Sequence, residues 1–179
     1  MRRTSSPMTL LTRYSSSTCT IVRNSFGWRL EASITLMASL DVVFDFFSRA
    51  RNLQELTPPW LKFDVLTPEP IVMQPGTLID YRIIIHGIPI RWRTEITRYE
   101  PPAIFTDRQL RGPYSLWDHT HTFEAISPEV TQARDIVVYR PRGGVLAPLL
   151  NSLFVQRDVE RIFAFRHAML AERFGIAGD

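Results

Sequence analysis

Apolar and polar positions follow two different periods along this chain. Residues 28–37 (WRLEASITLM) alternate loosely and predict a strand. In the next stretch, Val42, Val43, Phe46 and Phe47 fall at helical spacing, with Ser39 placed to cap them. Residues 52–56 predict a second short helix. Thr57-Pro58-Pro59 ends it, because proline lacks the N–H and restricts the residue before it. Short strand-like runs follow at 62–66, 77–86, 89–99, 104–110, 114–126 and 131–140, punctuated by Gly87, Pro101-Pro102, Gly112-Pro113 and Ser127-Pro128. Short turns between strands predict antiparallel pairing. After Pro148 the pattern turns helical to about Phe174, where Gly175 is a stop signal. The expected class is α+β: a bent, antiparallel, seven-stranded sheet around a long C-terminal helix, with two short helices after the first strand. A bent sheet gripping one helix leaves space between them, and a ligand is expected there.

Charge divides the chain. The 179 residues carry a formal net charge of +3, yet residues 1–30 hold five arginines and no acid. Every later segment taken together is slightly acidic. A nucleic-acid groove needs its basic surplus on the folded part, so no nucleic-acid partner is expected. Residues 1–25 contain eleven Ser or Thr, the composition of a transit peptide, a disordered tail or a non-native extension from an upstream start. Residues 1–27 are therefore set apart, and 28–175 are expected to form a single domain. No apolar run reaches the ~20 residues that cross a bilayer, so no integral membrane association is expected. Cytoplasmic residence follows, or an organelle if 1–27 is a transit peptide. Cys19 is the single cysteine, which excludes a disulfide framework.

The strongest chemical signal is the run Trp117-Asp118-His119-Thr120-His121-Thr122-Phe123. Alternation places Trp117, His119, His121 and Phe123 on one face, with the imidazoles roughly 7 Å apart along the strand. They line a pocket, binding a ligand or moving a proton, or they are core histidines held by neighbouring carbonyls or carboxylates. The preceding strand offers Phe105, Asp107 and Gln109 on one face. Asp107 and Gln109 either face the histidines across the hairpin, or Asp107 points outward to a neighbouring arginine. On the C-terminal helix, Arg166 interrupts a stripe of Val155, Val159, Ile162, Phe163, Met169 and Leu170. Asp107, Asp80 and a ligand carboxylate are available partners for it; otherwise its head reaches water while its stem packs. Trp60, Tyr81 and Trp92 read as core aromatics with a ligand role as the lesser alternative. No metal is expected, because a metal needs a third ligand and the pattern points clearly to none. No phosphate loop, dinucleotide fingerprint or nucleophile elbow is present, and no cofactor is expected.

The stretches Thr57-Pro58-Pro59-Trp60-Leu61, Gly76-Thr77-Leu78-Ile79-Asp80-Tyr81, His86-Gly87-Ile88-Pro89-Ile90-Arg91-Trp92-Arg93 and Arg111-Gly112-Pro113-Tyr114, with Trp117, His119 and His121, resemble the SRPBCC superfamily. That superfamily includes START-like, Bet v 1-type and polyketide cyclase/dehydrase-like proteins. The likeness spans residues 29–174 and is nearest to a small bacterial branch that stands alone or is fused to a sugar-nucleotide-epimerase-like domain. It implies a helix-grip fold with an apolar cavity and binding of a small hydrophobic or amphipathic molecule. Tyr81, Asp107, Gln109, Trp117, His119, His121 and Arg166 are the expected ligand-binding residues. Two alternatives accompany this: a cyclase/dehydratase-like enzyme using His119 or His121 as acid/base, and a non-catalytic partner of an epimerase-like protein acting in trans. The edges of a bent sheet also permit a homodimer.

Overall fold

The structure, a computed structural model, describes residues 18–177. Of the segment 1–27 that composition set apart, residues 1–17 lie outside the described residues. The chain order is β1 (Thr18–Asn24), β2 (Gly27–Leu36), α1 (Leu40–Ser48), 3-10 turns at Ala50–Gln54 and Pro59–Leu61, then β3 (Asp64–Val65), β4 (Leu78–Ile85), β5 (Ile88–Glu100), β6 (Ile104–Arg111), β7 (Tyr114–Ser127) and β8 (Val130–Pro141). A short helix α2 (Ala147–Leu150) passes through a π turn (Asn151–Val155) into the long helix α3 (Gln156–Phe174). One sheet runs β1-β2-β8-β7-β6-β5-β4-β3, antiparallel at every pairing.

The α+β class and the long C-terminal helix agree with the sequence pattern, but the strand count is eight rather than seven. The additional strand is β1, inside the segment that composition set apart. Its residues alternate in the manner of a half-buried strand: Cys19 and Ile21 pack on the core, while Thr20 and Val22 are exposed. Burial pushes the half-buried Cys19 thiol up to about 11, with smaller contributions from Glu160 and Asp135, so its thiolate is disfavoured.

The β1–β2 hairpin turns on Asn24, whose Oδ1 accepts the backbone N–H groups of Phe26 and Gly27, both at 2.9 Å. Gly27 has φ +147°, and a Cβ there would overlap the Tyr139 carbonyl of β8. Gly27→Ala is expected to cost about 1–3 kcal/mol in urea denaturation through overpacking against backbone that has no room to move. An unchanged urea midpoint would show that the start of β2 is not packed against the β8 backbone at this glycine.

The core divides along the sheet. At one end α1 drives Val43, Phe44 and Phe46 onto Phe105, Phe123 and Leu170. Phe44 meets Phe105 and Phe123 edge-on, at 6.1 and 5.4 Å between ring centroids. Ser39 occupies the N-cap position of α1 in extended conformation, but its hydroxyl makes no capping bond. At the other end Leu30, Val137 and Tyr139 receive Val159 and Phe163 from α3. Each large apolar side chain buried this fully contributes about 1.5–3 kcal/mol. Gly175, at φ +76°, ends α3 and donates its N–H to the Ala171 carbonyl. The middle of the concave face, between these two packed ends, holds the site.

Candidate functional site

A cavity of about 170 Å³ lies between the concave face of the sheet and α3. Its walls are mostly apolar: Ile79, Ile83 and Ile96 from β4 and β5, Phe47 from α1, and Val159 and Phe163 from α3. Toward one end, Leu61, Ile85, Tyr114 and Ile162 continue into a second groove beside Trp60 and Phe154. Trp60 stands at that rim, 45% exposed, rather than in the core.

The acidic, imidazole and guanidinium groups of the cavity gather at one place, apart from the hydroxyls and amide of Thr57, Tyr81, Thr94 and Asn52. β6 and β7 pair so that Phe105 lies opposite His121 and Asp107 opposite His119. The alternation that orients the histidines inward therefore orients Asp107 inward too. His119 and His121 are 7% and 4% exposed. Their ring centroids are 3.8 Å apart, much nearer than the strand spacing alone gives, because both rings lean toward a shared carboxylate. That carboxylate is Asp135 of β8, paired in register with His121. His119 Nε2 donates to Asp135 Oδ1 at 3.1 Å, and His121 Nδ1 lies 2.6 Å from the same oxygen. A carboxylate only accepts, which assigns a proton to His119 Nε2; His121 Nδ1 lies between that oxygen and Arg166 Nη2, which is at hydrogen-bond distance, 3.5 Å, and can only donate. The opposite nitrogens face Asp107: His121 Nε2 is 3.5 Å and His119 Nδ1 3.8 Å from Asp107 Oδ2. Phe105 stacks on His121 at 4.2 Å and Phe163 meets His119 edge-on at 5.9 Å, so both rings are fixed by packing.

Arg166 comes to this cluster from α3. It is 5% exposed, and its Nε is 3.3 Å from Asp135 Oδ2. The approach is off-angle, an ion pair without a hydrogen bond from Nε. The guanidinium lies over Phe47 at 5.1 Å and Phe163 at 5.9 Å. Its partner is thus neither Asp80, which binds Arg93 at 2.7 Å on the surface, nor water. Burial alone would raise the Asp135 carboxyl; Arg166 and His121 outweigh it and hold the group well below the usual carboxylate range. Burial also disfavours charge on both imidazoles. For His121, the adjacent Asp135 and Asp107 overcome burial and raise its value; for His119, burial and the neighbouring His121 prevail and lower it.

The structure thus brings Tyr81, Asp107, Trp117, His119, His121 and Arg166 to the cavity wall. Tyr81 is almost fully buried and packs on Phe63, with ring centroids 5.0 Å apart. Trp117 joins Trp92 and Tyr114 in an aromatic cluster. Gln109 does not join them. Its amide bridges the β6–β7 turn, donating to the Tyr114 carbonyl at 2.8 Å and accepting the Tyr114 N–H at 3.3 Å. A Cβ on Gly112 would overlap that amide, which explains the glycine in the turn. Asp135 is the residue that the sequence reading missed. Its signal was present: Thr131, Ala133, Asp135, Val137 and Tyr139 alternate as one buried face of β8, with the acid in its middle.

No family model matches the chain, and a search of curated proteins finds no match. Solved structures do match. The Zhui aromatase/cyclase from Streptomyces sp. R1128 is 16% identical, with a TM-score of 0.56 over 84% of this chain and 98% of that one. A START superfamily protein from Mycobacterium smegmatis is 11% identical, with a TM-score of 0.59 over 81% and 98%. Ara h 8.0201 is 13% identical, with a TM-score of 0.55 over 80% and 97%. Among the described residues no helix is long and apolar enough to cross a membrane. The sheet, the gripped helix and these likenesses together give the chain an SRPBCC-like fold.

Proposed function

We propose that this chain binds a small apolar molecule with one polar end. The ring or chain would lie against Ile79, Ile83, Ile96 and Val159, and the polar end would meet Asp107, His119 and His121. The observation that carries this reading is the convergence of a buried acid and two buried imidazoles on a mostly apolar wall. The volume selects size. An apolar cavity of about 150 Å³ accommodates benzene, so 170 Å³ suits a ligand built on one ring. The test is thermal shift and calorimetry with phenol, benzyl alcohol and toluene, run in chelator. The two polar-tipped compounds are expected to raise the melting temperature more than toluene, by mass action on the folded state. Asp107→Ala is expected to remove that difference. No stabilisation by any of the three, or a difference unchanged in Asp107→Ala, would overturn the reading.

A second reading is turnover of the bound molecule by a cyclase or dehydratase-like reaction. The likeness to an aromatase/cyclase supports it. Mass spectrometry of ring-forming oligoketide substrates incubated with the protein tests it. A cyclised product that depends on the two histidines supports it, and intact substrate removes it.

A further inference from the structure

We infer that Asp107, His119 and His121 form a binding site for a divalent transition-metal ion on the cavity wall, with Asp135 as the outer carboxylate that orients both imidazoles. The sequence pattern offered two histidines and no clear third ligand; the β6–β7 register supplies Asp107 as the third. One ligand atom from each of the three residues lies within 4.8 Å of the other two. Two of the separations, 3.5 and 3.8 Å, are near the edge of a tetrahedron around zinc, about 3.4 Å for bonds of about 2.1 Å. Those two separations need a shift of only a few tenths of an ångström to match one ion.

A ligating imidazole commonly donates its other N–H to a carboxylate, which fixes the tautomer and ring orientation. Here His119 Nε2 donates to Asp135 Oδ1 at 3.1 Å, while His121 Nδ1 lies between that oxygen, 2.6 Å away, and Arg166 Nη2 at 3.5 Å. Arg166 holds the remaining oxygen of Asp135. His119 Nδ1 and His121 Nε2, the nitrogens facing Asp107, are the ones that would supply lone pairs to an ion, with any proton on them released as it binds. Three protein ligands leave a further coordination position toward the cavity, as in metal sites that receive water or a substrate oxygen. The ligand set of two imidazoles and one carboxylate suits Zn²⁺ or Fe²⁺ and disfavours Mg²⁺ or Ca²⁺, which prefer all-oxygen shells. The ligands stand on two adjacent strands and are packed by Phe105 and Phe163, which gives the site a rigid base.

The experiment is titration of chelator-stripped protein with Zn²⁺ by calorimetry, with metal content after dialysis measured by mass spectrometry. Co²⁺ and Fe²⁺ titrations run in parallel, and Co²⁺ absorption reports the coordination geometry. One equivalent per chain is expected for at least one of the three ions. Asp107→Asn and His119→Gln are expected to weaken it by more than the roughly 10–100-fold typical of an outer partner. His86→Ala removes the exposed His86–Asp158 pair and is expected to change nothing. Melting curves without metal verify that each variant is folded; a variant that fails is replaced by His121→Gln. No saturable binding of any of the three ions would overturn the inference. So would one equivalent that survives both Asp107→Asn and His119→Gln, or that is lost in His86→Ala. Because the ligand assays run in chelator, a failure here leaves them unaffected, and the reverse also holds.

Discussion

Asp135→Asn is expected to destabilise the folded chain by about 3–5 kcal/mol, the range for removing one partner of a buried ion pair. The cause is what remains behind. Asp135 is 5% exposed and serves three groups: His119, His121 and Arg166. An amide of the same shape still accepts one bond but no longer balances the guanidinium, which is itself 5% exposed and has Phe47 and Phe163 beside it instead of water. The desolvation of Arg166 is then uncompensated. Removing both charges is expected to cost less than removing one, because apolar replacement of a whole buried pair is often close to neutral. Urea denaturation of Asp135→Asn, Arg166→Met and Asp135→Leu/Arg166→Met measures this. A loss below about 1 kcal/mol for Asp135→Asn would mean that Arg166 finds solvent or another partner, and the cluster would not be the closed unit described above.

Val159→Phe is expected to abolish binding of a ring-sized ligand while leaving the fold intact. Val159 is 1% exposed, sits on the face of α3 turned to the sheet and lines the cavity. The larger side chain directed into existing space fills volume that a ligand would otherwise use. Filling a cavity is among the changes that commonly stabilise a protein, by about 0.5–2 kcal/mol, and a site that merely clashed would lose stability instead. The combination to look for in calorimetry and melting curves is therefore at least a tenfold loss of phenol or benzyl alcohol affinity with an unchanged or raised melting temperature. Retained affinity would place the ligand elsewhere, with the second groove beside Trp60 and Phe154 as the first alternative.

Much of this architecture is written in local patterns. Strand alternation is a period-2 signal, and the run from Trp117 to Phe123 carried it clearly enough to orient both histidines. The helical stripe around Arg166 likewise placed an arginine on a buried face of α3. What was not legible depended on pairing between elements. The partner of Arg166 lies on β8, and only the arrangement of helix across sheet brings it near. Asp135 was visible as the odd residue in an alternating apolar face, but an acid in a strand reads as solvent-facing until its neighbours in register are known. Gln109 shows the opposite limit. It shares the alternation of Asp107, yet it lies beyond the last β6–β7 pairing, Arg108 with Asp118, where the turn captures its amide. β1 was obscured by composition: its Ser, Thr and Arg neighbours masked a short β-branched run whose pairing with β2 decides its state.

The central claim is that one cavity receives an apolar body at its isoleucine wall and a polar end at Asp107, His119 and His121. The most direct measurement is a crystal structure of the protein with phenol or benzyl alcohol, in chelator. The account predicts ring density between Ile83, Ile96 and Val159, with the hydroxyl oxygen within about 2.6–3.2 Å of Asp107 or an imidazole nitrogen. Density for the ring only in the outer groove, or in the cavity with its hydroxyl turned away from this cluster, would contradict it.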